Sequence, residues 1–202
     1  MSIQKKIVRR IRGKGRGSVF TPKDFLDLGS RAAIDQSLSR LTTQGTIRRI
    51  GRGVYDFPRT HPRLGRLAPR PVDVAKAVSG GANIQSSGAK AANDLGLTTQ
   101  VPAQPVYVTD GPSRTIRLYS GRQVITLRHA GVRKRAGMGS PSGNVFQALR
   151  HLGKRGVDTR VTAHLRRTLP PVVKRDLKRQ SDRDHWVVDW MRPVIDQIAA
   201  DS

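Results

Sequence analysis

An α+β fold is predicted by three observations: apolar residues at helical spacing near the N-terminus, two β-type runs around a glycine turn at 46–57, and β-type runs followed by helical periodicity beyond residue 72. Ile3, Ile7, Val8 and Ile11 recur at helical spacing, with Lys5, Lys6, Arg9 and Arg10 on the other faces. The glycines of Gly13-Lys14-Gly15-Arg16-Gly17 stop that helix, and Ser18-Val19-Phe20 reads as a short extended piece. Thr21 and Pro22 are good N-cap and N1 residues for a short helix whose apolar side is Phe25, Leu26 and Leu28. Gly29 breaks it, and Ser30 caps a third helix running to about Gln44, with Gly45 as the left-handed terminator. Thr46–Ile50 and Val54–Phe57 are expected strands joined by Gly51-Arg52-Gly53, the loop of a tight hairpin.

Helix, short strand, helix, turn, helix, hairpin is the order of a winged helix-turn-helix, the hairpin being the wing. The expected organisation is that domain over 1–57, a linker over 58–71 and a mixed C-terminal domain over 72–202 with a short antiparallel sheet and several helices. Pro58, Pro62, Pro69 and Pro71 interrupt the arginine-rich linker. In the C-terminal domain helices are expected at 72–78 and at 86–95 with Ser86 as cap. Strands at 105–109, 114–119 and 123–129 should form an antiparallel meander. Helices at 143–152, 158–168, 171–180 and 190–200 complete it.

Composition narrows function. The 202 residues hold 38 Lys and Arg against 14 acidic residues, all aspartate, for a net charge of +24, and arginine outnumbers lysine 28 to 10. That balance predicts a polyanion partner rather than an acidic-surfaced metabolic enzyme. Without cysteine there is no disulfide scaffold and no thiolate metal site. No apolar run approaches the ~20 residues of a membrane span, and the basic N-terminus has no apolar stretch to make a signal peptide, so a cytoplasmic location is expected.

The third helix carries the functional argument. Ile34, Leu38 and Leu41 form one stripe, leaving Ala32, Gln36, Ser39 and Thr43 opposite, with Asp35 and Arg40 flanking and Arg31 in the first turn. A recognition helix of this kind lies in the major groove of double-stranded DNA with its N-terminal residues at base edges. The expected base-reading set is Ser30, Arg31, Ala32, Asp35, Gln36, Ser39 and Arg40. Gln36 has the geometry for adenine, and Arg31 or Arg40 for guanine. Phosphate or minor-groove contacts are expected from Lys5, Lys6, Arg9 and Arg10 on the first helix and Arg48, Arg49 and Arg52 on the wing.

Other candidates read as structure. The Gly13–Gly17 run lacks the spacing of a phosphate-binding loop, and Ser86, Ser87 and Lys90 read as cap and surface. His61, His129, His151, His164 and His185 show no metal-ligand spacing, so no metal or cofactor is expected. Asp182, Asp184 and Asp189 near His185 read as an ion-paired surface, and nothing points to an enzyme. Trp186 and Trp190 would share a helix face, as core or as an interface. The basic stretches His129–Arg135 and Arg166–Arg179 could extend a DNA footprint or bind RNA. An RNA-binding or ribosome-associated protein is therefore the alternative.

The run GSVFTPKDFLDLGSRAAIDQSLSRLTTQGTIRRIGRGVYDFPRTHPRLG resembles the N-terminal winged helix of AbiEi-type antitoxins of the AbiE (type IV) toxin–antitoxin systems. The run IQSSGAKAANDLGLTTQVPAQPVYVTDGPSRTIRL, from Ile84 to Leu118, looks like the start of that family's C-terminal domain. The resemblance implies a transcriptional autorepressor that binds repeats in its own promoter in more than one copy. It also implies an antitoxin function against a co-encoded nucleotidyltransferase-like toxin.

Overall fold

The computed structural model describes residues 2–135, 137–183, 187 and 189–200, with the side chain of Arg133 excepted. It is a mixed α+β chain. Contacts divide it into two compact units, Met1–Gly81 with Thr115–Ile125, and Ala82–Arg114 with Thr126–Ser202. This division differs from the boundaries drawn on sequence, because residues 58–81 and 115–125 fall in the first unit.

In the first unit α1 (Ile3–Lys14) is capped by Ser2, whose Oγ accepts the Lys5 N–H at 3.3 Å, and it ends at Gly15. After β1 (Val19–Phe20), Pro22–Phe25 forms a single 3-10 turn where a helix was expected. The stretch is too short for a ladder of i→i+4 bonds, since Gly29 follows. The Thr21 N–H instead donates to Asp24 Oδ2 at 2.7 Å, and the Leu28 N–H to Phe25 O at 2.8 Å. Helix α2 (Arg31–Thr43) is capped by Ser30, and the chain leaves it through Gly45 at φ +69°.

The hairpin is β2 (Arg48–Gly51) and β3 (Val54–Asp56), paired antiparallel with a bulge between Arg49 and Gly51. Strand β3 also pairs with β1. Ile7, Ile11, Phe20, Phe25, Ile34, Leu38, Leu41, Ile47 and Tyr55 form the core beneath these elements. Phe20 meets Phe25 edge-on at 5.5 Å and stacks on Tyr55 at 6.3 Å. Burial of each large side chain is worth roughly 1.5–3 kcal/mol, which is what makes the α2 stripe hold its exposed face outward.

Two expectations are corrected here. The 58–71 stretch carries a small hairpin, β4 (Thr60–His61) with β5 (Gly65–Arg66), before α3 (Pro71–Ser79). Strand β8 (Arg114–Leu118) lies beside β9 (Gln123–His129) in the strand order, as the meander expects, but its other neighbour is β2 and not the strand over 106–109. It pairs with β2 at Gly51↔Leu118, so the first unit has the strand order β1-β3-β2-β8. Gly51 permits this approach, because a Cβ there would lie 2.9 Å from the Arg117 carbonyl oxygen.

The second unit starts with β6 (Ile84–Ser86), so Ser86 lies in a strand and Ser87 is the N-cap of α4 (Gly88–Asp94). Strand β7 (Val106–Thr109) pairs antiparallel with β6 and parallel with the end of β9 (Gln123–His129). The parallel pair corrects the expected short antiparallel sheet. The turn after β7 is tied back toward β6: Asp110 accepts the Asn83 N–H and side-chain amide at 2.9 and 2.8 Å. The chain therefore does not fold back on β7 as a hairpin.

Helices α5 (Gly143–Gly156, interrupted at Gly153), α6 (Thr159–Thr168), α7 (Pro171–Arg183) and α8 (Met191–Ala199) follow. Their core contains Phe146, Leu149, Leu165, Leu177, Met191, Ile195 and Ile198, with half-buried Trp190 against it. Asp184, His185 and Trp186 lie outside the described residues. Among the described residues no helix is long and apolar enough to cross a membrane.

Candidate nucleic-acid interface

Capping and core packing fix which face of α2 is exposed. Ile34, Ser37, Leu38 and Leu41 are buried, and Arg31, Ala32, Gln36, Ser39, Arg40 and Thr43 are exposed. This is the division the apolar stripe predicts. Ser30 Oγ accepts the Ala33 N–H at 3.4 Å, so its hydroxyl serves the helix end.

Beside α2 the hairpin closes a groove of about 480 Å³. Arg31, Asp35 and Ser39 line it from the helix, Arg49 and Arg52 from the hairpin, and Tyr55 also contributes to its wall. Five of the predicted residues are thus brought together. Ala32, Gln36 and Arg40 do not line the groove; the helical wheel puts Ala32 and Gln36 near the middle of the exposed face and Arg40 at its margin. The predicted cations Lys5, Lys6 and Arg9 are exposed on α1, apart from the groove.

Arg48 is placed otherwise than expected. It faces Asp56 across the hairpin, where Nε and Nη2 donate to the two carboxylate oxygens at 3.0 and 2.6 Å. Nη2 also donates to Leu67 O at 2.8 Å, and the guanidinium lies 5.8 Å from the Tyr119 ring centroid. Asp56 is only 1% exposed. The hydrogen bonds to Asp56 raise the Arg48 pKa, against desolvation that lowers it. Burial raises the Tyr119 phenol, partly offset by Arg48. Arg48 is thus an internal counter-ion and Arg49 a groove cation. The two-residue period of a strand already requires neighbouring arginines to face opposite sides.

Arg10 is likewise engaged. Its two terminal amino groups donate to both Asp27 oxygens at 2.6 Å, and Nη1 also to Asp24 O at 2.9 Å. The hydrogen bonds with Asp27 raise the arginine and lower the carboxylate.

Tyr55 and Pro22 in the groove lining were missed by sequence reasoning, because both read as core or cap residues. Tyr55 is directly opposite Arg49 across the hairpin, which was the available signal.

The sequence profile of DUF6088, a family of unknown function, matches residues 6–177. The chain belongs to DUF6088. No curated protein and no solved structure matches it. In this DUF6088 chain the match spans the groove, the α1 cations from Lys6 onward and most of the second unit.

Proposed function

We propose that the first unit is a winged helix-turn-helix that binds double-stranded DNA, and that the protein is a transcriptional autorepressor. The observation carrying this reading is the groove between α2 and the hairpin, which gathers Arg31, Arg49 and Arg52 beside an exposed face of short polar side chains. On a duplex, α2 would enter the major groove and the β2–β3 loop the adjacent minor groove. The sugar-phosphate strand that separates those grooves would run between helix and hairpin, where Arg49 and Arg52 meet it. Gln36 and Arg31 would read base edges, Lys5, Lys6 and Arg9 would extend the phosphate contacts, and Arg48 would hold the hairpin to its core.

The role as antitoxin to a nucleotidyltransferase-like toxin rests on the resemblance of the Ile84–Leu118 run to AbiEi-type antitoxins. Binding to repeated promoter sites in more than one copy belongs to the same reading.

The test is fluorescence anisotropy of the full chain on its own upstream DNA, against a scrambled duplex of equal length over a range of salt. A preference of ~10³ or more with a steep salt slope is expected. Equal affinity for both duplexes would reduce the protein to a general polyanion binder and bring structured RNA forward as its target.

A further inference from the structure

We propose that Asp35 is a positioning residue that sets the Arg31 guanidinium for reading guanine, a specificity device that rests on the DNA-binding reading above. Arg31 Nε donates to Asp35 Oδ2 at 2.8 Å, one helical turn along the exposed face of α2. Both residues line the groove, and their side chains are 55% and 46% exposed.

The way the carboxylate holds the arginine is the informative feature. Asp27 takes Arg10 through both terminal amino groups. Asp56 takes Arg48 through Nε and Nη2, and Asp73 takes Arg70 through the same two atoms. In each of those pairs at least one terminal amino group is consumed. In the Arg31–Asp35 pair the bond runs from Nε alone, so Nη1 and Nη2 remain as an unengaged fork. That fork matches the O6 and N7 acceptors of guanine in the major groove. An arginine otherwise free to sample many rotamers would lose entropy on docking; a carboxylate one turn away removes part of that loss in advance.

The sign of Asp35 supports the same assignment. A carboxylate on a surface that meets phosphates weakens binding to every duplex equally. It fits a DNA face through discrimination, and its bond to Arg31 Nε favours orienting a cation and penalising wrong partners over touching a base itself. Asp35 and Arg31 together are neutral, and the positive charge of the groove comes from Arg49 and Arg52.

The test is selection from a randomised duplex library with the full-length protein and its Arg31→Ala, Asp35→Ala and Asp35→Glu variants, alongside affinity for a random duplex. Arg31→Ala is expected to erase a guanine preference at one base pair. Asp35→Ala should weaken that same preference about tenfold while random-duplex affinity holds or rises, and Asp35→Glu should restore part of it. A base profile unchanged in Asp35→Ala, or a uniform loss on all duplexes, would show that the pair only steadies the helix and would overturn the proposal. A change at a different base pair from Arg31→Ala would assign Asp35 a direct contact, which also overturns it. Wild-type protein that selects no sequence would remove the DNA-reading premise itself, an outcome separate from all of these.

Discussion

The two units use aspartate differently. The first holds 20 Lys and Arg against 5 Asp, the second 18 against 9. Every aspartate of the first unit pairs with a cation: Asp24 with Lys14, Asp27 with Arg10, Asp35 with Arg31, Asp56 with Arg48 and Asp73 with Arg70. Carboxylates there quench particular cations, and the uncancelled charge includes the hairpin tip and the outer face of α1. In the second unit the best-buried of the described aspartates serves the backbone as well as a cation. Asp176 Oδ2 accepts the Ser142 N–H at 3.0 Å and the Ser142 hydroxyl at 2.7 Å, while Oδ1 accepts from Arg179. Net charge thus says less about a surface than where its few acidic residues have been spent.

The largest effect should come from the internal counter-ion of the first unit. Arg48→Ala would leave the Asp56 carboxylate buried without a partner and is expected to cost about 3–4 kcal/mol of stability in urea unfolding. The paired change Arg48→Met with Asp56→Asn should recover much of it. An undiminished stability in Arg48→Ala would mean Arg48 belongs with the surface cations after all.

Next is the second unit's carboxylate. Burial alone would raise the Asp176 pKa, but the Ser142 hydroxyl and N–H, Ser140 and Arg179 outweigh it and hold the group at about 2, below the ordinary 3.8. The ionised form is favoured in the folded state, so its contribution is complete above pH ~4 and lost as pH falls toward 2. That contribution is about 2 kcal/mol. Asp176→Asn should lose about 2–3 kcal/mol at neutral pH and flatten the decline between pH 4 and 2. If wild type and variant lose stability in parallel over that window, another carboxylate carries it.

A smaller loss is expected at the β2–β8 approach. Gly51→Ala would press its Cβ on the Arg117 carbonyl and should cost roughly 1–2 kcal/mol, read as a lower melting temperature. Smallest for stability is Arg52→Ala, which should leave melting unchanged but reduce the slope of log affinity against log salt by ~0.9. A slope equal to wild type would take the hairpin tip off the phosphate backbone.

The local parts of the first unit were legible in the sequence. The Ser30 cap, the Ile34–Leu38–Leu41 stripe and Gly45 define α2 through bonds and periodicities within a few residues. The β2–β3 hairpin was legible for the same reason. The groove itself was partly visible, since its helix and hairpin arginines were named, yet Arg48 and Arg49 were treated alike although a strand separates them. What sequence could not supply was non-local pairing. That β8 lies against β2, or that β7 and β9 run parallel, depends on tertiary choices no local pattern encodes. The 58–71 stretch misled because proline spacing hides a hairpin with only two residues in each strand.

The contact between Gly51 and Leu118 has a temporal side. During synthesis α1, α2 and the hairpin emerge long before residues 115–125, so β2 waits with one edge unpaired while the intervening chain is made. An unpaired strand edge is an invitation to aggregate, and the arginines at positions 49 and 52 in and beside that edge are the kind of charge that keeps nascent strands apart. The same cations that the proposed duplex contact uses would then guard the hairpin in the interval before its neighbour arrives.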